Sequence, residues 1–97
     1  MLYVCWNSET NEIFSCLQLN KYELEYYGAW HTEVEREIHP EEAAGMLAGL
    51  GLEEKENWRL LNVDEHALKL FNVKINNNPQ ARLYFDGKGR SWVVKEQ

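Results

Sequence analysis

No apolar run in this chain approaches the roughly 20 residues that cross a bilayer, which leaves no candidate for a membrane-spanning helix. The opening segment Met1-Leu2-Tyr3-Val4-Cys5-Trp6 has neither the basic residues nor the long apolar stretch of a secretion signal, so the cytoplasm is the expected compartment. Cys5 and Cys16 are the only cysteines and lack CxxC spacing, and in a reducing compartment they read as small buried hydrophobes. A disulfide between them is disfavoured, because the expected strand register sets them diagonally. There is no HExxH and no Cys/His pair at zinc spacing, so no metal and no cofactor is expected. The stretch from Gly45 to Gly51 has the outline of a phosphate loop but lacks a GK[ST] ending and a preceding strand. Helix-end glycines explain it better. Internal repeats, linkers and low-complexity tracts are also missing.

Basic residues are scarce in the first part of the chain. Residues 1–56 hold twelve Asp and Glu against three Lys and Arg, while residues 57–97 hold four against seven. The two parts carry −9 and +3, which sum to the net −6. Such asymmetry bears on which partners the surface attracts rather than on fold. The chain is nonetheless 44% hydrophobic, with four Trp, five Tyr and three Phe, too apolar for general disorder. Its 97 residues suit one domain, spanning 1–97, with one real core and little room for a deep cofactor cavity.

Alternation opens the chain, with Leu2, Val4 and Trp6 on one face of a strand and Tyr3, Cys5 and Asn7 on the other. A turn cluster at 7–11 leads into a second strand, 12–18, and so to a hairpin. Next, Asn20 and Glu23 have the spacing of a capping box, Leu19 and Leu24 that of a hydrophobic staple, and Gly28 that of a helix end. A short helix is expected there. The alternative, a strand 22–27 turning at Gly28-Ala29 into 30–38, mixes Glu23 and Glu25 with Trp30 and Val34 on one face and is set aside. Residues 30–38 alternate as a strand with an acidic face. Pro40, with Glu41 and Glu42 behind it, opens a helix that Gly51 ends. A polar connector, 53–57, precedes a strand, 58–63. Asp64 caps a short helix to about Leu70, and 71–75 extends as a strand. A loop at 76–79 and a closing hairpin, 81–85 with 90–95, complete the reading. The sum is an α+β fold: one mainly antiparallel sheet of five or six strands with two or three short helices.

Three function classes are open to such a chain. The leading expectation is a small, acidic, non-enzymatic binding protein, an inhibitor or adaptor. Its acidic–aromatic face would dock on a basic surface of a larger protein, occluding a nucleic-acid-binding site as a phage-type antagonist would. Rings and carboxylates interleave there: Tyr22, Tyr26, Tyr27 and Trp30 with Glu25, Glu33, Glu35 and Glu37. Tyr and Trp anchor binding hot spots, carboxylates steer a basic partner, and a row of them imitates a phosphate backbone. Direct nucleic-acid binding is not expected. The basic and aromatic residues of the closing hairpin (Arg82, Lys88, Arg90, Lys95, Tyr84, Trp92) are few, and a pI near 5.0 opposes it. The second class is a structural subunit or homodimer assembling through an edge strand of the first hairpin or of 30–38. The third is a small hydrolase using His31 with Glu33, or His39 with Glu41 or Glu42. A cysteine nucleophile is disfavoured, since nothing near Cys5 or Cys16 lowers a thiol pKa.

Overall fold

In chain order the strands and helices are β1 (Leu2–Asn7), β2 (Glu12–Ile13), β3 (Ser15–Leu19), β4 (Glu25–Ala29), β5 (His31–Glu33), α1 (Pro40–Gly49), β6 (Trp58–Val63), α2 (Glu65–Ile75), β7 (Ala81–Phe85) and β8 (Ser91–Lys95). The structure, a computed structural model, describes residues 1–96. The α+β class and the mainly antiparallel sheet are as the sequence pattern indicates. The radius of gyration, 12.9 Å, is that of one folded unit of about 100 residues.

The sheet is organised around β1. One edge of β1 pairs with β6 along its whole length, from Leu2↔Val63 to Asn7↔Trp58. The other edge is shared: β5 takes Leu2, Tyr3 and Val4, and β2 takes Trp6 through Ile13. From β2 the sheet passes to β7 and then to β8, all antiparallel. The alternation of β1 is therefore apolar on both faces. Val4 joins Ile13, Ala29, Phe71, Ile75, Ala81, Leu83 and Phe85 under α2. Cys5 faces the opposite way and joins Leu47 and Leu52 under α1, with Trp30, Phe14 and Trp58 around them.

The expected first hairpin forms, but its second strand breaks at Phe14. The Phe14 N–H bonds to Cys5 O (2.9 Å) and Phe14 O accepts from Trp30 N–H (3.0 Å). Beyond these two aromatic residues β3 and β4 leave the sheet as a separate two-stranded arm. Residues 30–38 do not form one strand. Only His31–Glu33 pairs, Val34 makes the last rung to Met1, and the segment then turns toward α1.

One helix forms as expected and the other runs further. The first ends as Gly51 implies: Gly51, at φ +77, lets the Gly51 and Leu52 amides bond back to Ala48 and Leu47. The second does not stop at Leu70, and 71–75 is its last turn rather than a strand. Phe71 and Ile75, four apart, both enter the core beside Ala67 and Leu68, whereas Val73 is left in solvent. A strand would have put Phe71, Val73 and Ile75 on one face, so burial at helical spacing decides it.

Candidate functional site

The arm occupies the stretch read from sequence as a helix. Asn20 does supply its side-chain oxygen, but to close a hairpin: Oδ1 accepts from Tyr22 N–H (2.8 Å) and Leu24 N–H (3.1 Å), and the Asn20 amide bonds to Leu24 O. A three-residue turn with its last residue, Glu23, in the left-handed region (φ +62) joins the strands. The same short-range acceptor serves an N-cap or an Asx turn, which is why the local signal misleads.

What holds the arm in place is α2. Asn72 Oδ1 accepts from Ala29 N–H (2.9 Å) and Asn77 Oδ1 from Tyr27 N–H (2.6 Å), so two side-chain amides seal the outer edge of β4. Gly28 is required at this crossing. A Cβ there would lie 2.6 Å from Asn72 Oδ1. Among the described residues the β3 edge has no counterpart to these amides, and β3 pairs with β4 alone. Along it and around the tip, Leu17 (60%), Leu19 (63%), Leu24 (63%) and Tyr22 (70%) are exposed, an unusual density of solvated apolar side chains. The three leucines were not anticipated as surface residues. The alternation Leu17-x-Leu19 continues the first hairpin, and only the departure at Phe14 reveals that it overshoots the core.

The structure splits the eight anticipated contact residues. Tyr22 and Glu25 are exposed at the tip, with Lys21 Nζ 5.1 Å from the Tyr22 ring centroid. Tyr26 is half-buried on one face of the arm, its hydroxyl donating to Gln18 Oε1 (3.3 Å). Tyr27, on the other face, packs against the α2-side core, and its hydroxyl donates to Ser15 O. Burial raises the pKa of both tyrosines. Trp30 belongs to the α1-side core. Glu33, Glu35 and Glu37 are exposed, the first on β5 and the others on the segment leading to α1. At about 3.3 Å per residue, Glu25 and Glu33 lie up to roughly 26 Å apart along the chain. They form the two ends of a ribbon rather than one compact patch.

Electrostatics reinforce that ribbon. Arg36 holds Glu42 through two bonds (2.8 and 3.0 Å), which lowers the Glu42 pKa, and Lys55 pairs with Glu53 at 3.1 Å. With Lys21 beside Tyr22, all three cations of 21–56 have neighbours, and among the described residues Glu25, Glu33, Glu35 and Glu37 enter no ion pair.

The other candidate groups lie elsewhere on the molecule. His31 Nδ1 lies 3.4 Å from Ala29 O, and His39 precedes α1 as an exposed cap without a side-chain bond. Among the described residues no group of three or more His, Cys, Asp or Glu is placed to hold a metal. Burial pushes the Cys5 thiol up to about 12 and raises that of Cys16. In the closing hairpin Tyr84 stacks on Trp92 (5.9 Å), Arg90 lies over Trp92, and Arg82 is held by Glu12 and Glu96. Among the described residues no helix is long and apolar enough to cross a membrane. Comparison of the chain with protein-family models, curated proteins and solved structures finds no match.

Proposed function

We propose that this is a non-enzymatic binding protein of the inhibitor or adaptor type, acting in the cytoplasm on a larger protein with a basic surface. The observation that carries this reading is the acidic ribbon. From the arm tip to the approach to α1 it presents Glu25, Glu33, Glu35 and Glu37 in solvent, while the nearby cations are already engaged. Fixed, unneutralised carboxylates raise association rates with a cationic partner and set orientation. Their spacing along an extended chain suits a surface built for phosphates, so occupancy would exclude nucleic acid from it, as a phage-encoded antagonist does. Tyr22 and the outer part of Tyr26 supply the rings that anchor such a contact. Tyr27 and Trp30 hold the ribbon to the body of the molecule.

The test is affinity capture from the native host with the wild-type protein and with a Glu33→Lys, Glu35→Lys, Glu37→Lys variant. A partner retained by the wild type should be lost by the variant. Its measured affinity should fall by at least about 100-fold at low salt, the scale of several reversed charge contacts. Equal affinity of the two proteins at low salt rules the proposal out. The three positions are exposed, so the variant should keep the wild-type melting temperature.

A further inference from the structure

A cleft between β6, α2 and the β7–β8 turn is lined wholly by residues 61–91, inside the part of the chain that carries +3. Its volume of about 410 Å³ lies in the range of small-molecule sites. Here the α2-side core is not sealed. Phe71 and Phe85, edge to face at 5.2 Å, are the buried members of the lining. Leu61, Val63, Ala67 and Leu70 around them are only partly covered. An apolar group laid against these four would remove further apolar surface from water.

Most polar groups of the lining are already satisfied. Asn62 donates to Leu2 O, Asp64 accepts from the Ala67 N–H, and the Ser91 carbonyl and hydroxyl both accept from Lys74 Nζ (2.6 and 2.9 Å). The cations are not. Lys74 is partly buried, Lys88 is exposed at the rim, and among the described residues neither enters an ion pair. The turn that presents Lys88 is fixed in advance. Trp6 Nε1 donates to Phe85 O (2.8 Å), and Gly87 sits against the Trp6 ring. The Asp86 carboxylate is engaged by the Lys88 and Arg90 amides. A wall held this way loses little freedom when a ligand arrives.

We propose that this cleft binds a small organic anion, its apolar body against the partly covered side chains and its carboxylate or sulfonate at Lys88. The Lys74 charge, held at Ser91, supports the same end of the ligand. Surface and charge select this class together. A cation would meet two unpaired ammonium groups, and an inorganic anion would leave the apolar lining wet. A neutral apolar molecule would make no use of Lys88. Asp64, at the start of α2, repels the acidic group and so directs it toward the turn. His66 on the α2 wall is exposed, and its ring can pack beside the ligand body. The site is independent of the docking reading, because none of its residues belongs to the acidic ribbon.

Anilinonaphthalene sulfonate, an apolar ring system with one fixed negative charge, is the probe. Titration into the full chain should give a saturable, blue-shifted fluorescence. Nitrogen–proton correlation NMR should place the shifted amides at Ala67, Gly87, Lys88 and Gly89. Lys88→Gln should weaken this probe about tenfold, as expected for the loss of one contact between charged groups. The same variant should bind uncharged phenylnaphthylamine as the wild type does, and should melt with it, because Lys88 is exposed. Absence of saturable binding overturns the proposal. So do shifts centred on Leu17, Leu19 and Tyr22, which would mean general affinity for exposed apolar side chains. Equal affinity of wild type and Lys88→Gln for the sulfonate overturns it, as does equal weakening of both probes, which would report a distorted turn rather than a lost charge. Charge reversal at Glu33, Glu35 and Glu37 should leave probe binding intact, so failure here and failure of the docking reading are distinguishable.

Discussion

Asparagine makes many of the joints in this molecule. Asn7 accepts from Glu9 and Thr10 and donates to Glu56 O, and Asn62 donates to Leu2 O. Among the described residues Asn11, Asn57, Asn76 and Asn77 hold four of the five non-glycine positions with positive φ. Asparagine tolerates that region because its short amide bonds locally. The fifth position is Glu23 in the arm turn, where a longer side chain has no such compensation. Glu23→Gly should therefore stabilise the protein by about 0.5–1 kcal/mol, the left-handed penalty less the extra entropy of glycine in the unfolded chain. Thermal denaturation should show a rise of about 2–8 °C. An unchanged or lower melting temperature would mean that Glu23 is not strained.

At the scale of elements, the arm depends on α2 more than on its own turn. Asn72→Ala leaves the buried Ala29 amide without its acceptor and should cost about 1–3 kcal/mol. Asn72→Asp keeps an acceptor oxygen and should cost less. Hydrogen exchange should locate the loss at the Tyr27 and Ala29 amides, and undiminished protection there would refute the sealing role. That dependence also explains what could be read from the chain alone. Elements whose pattern is local were legible: β1, α1 with its proline start and glycine stop, β6, and the hairpin of β7 and β8. The arm was not, because Asn20, Glu23 and Gly28 satisfy helix rules locally. What overrides them is Asn72 and Asn77, far along the chain, bonding to the backbone of β4. Likewise 71–75 alternates like a strand, and only its packing against Ala29 and Leu83 makes it helix.

For the whole molecule, two cores back onto one strand, and the thiols report on them separately. Cys5 is fully buried on the α1 side and its pKa is pushed up to about 12, whereas Cys16 is partly accessible on the arm. A neutral alkylating reagent at mildly alkaline pH should modify Cys16 first and reach Cys5 only when the α1-side core opens. Mass spectrometry would show the order, and equal rates for the two thiols would contradict the packing. The candidate site was half legible at this scale. The excess of acid along 23–42 was plain from the sequence. Which rings face solvent was not, because that turns on the departure of the chain from the sheet at Phe14 and Trp30.

The position of β1 has a consequence in time. It is the strand on which both cores close, yet its partners lie at Ile13, at His31–Glu33 and at Trp58–Val63. During synthesis one edge of this apolar strand can close by Glu33, but the other stays open until Trp58–Val63 has been made. Closing loops of that span makes folding slow relative to helical proteins of the same size. The nascent chain is most open to misassociation in that interval, before β6 arrives to cover β1.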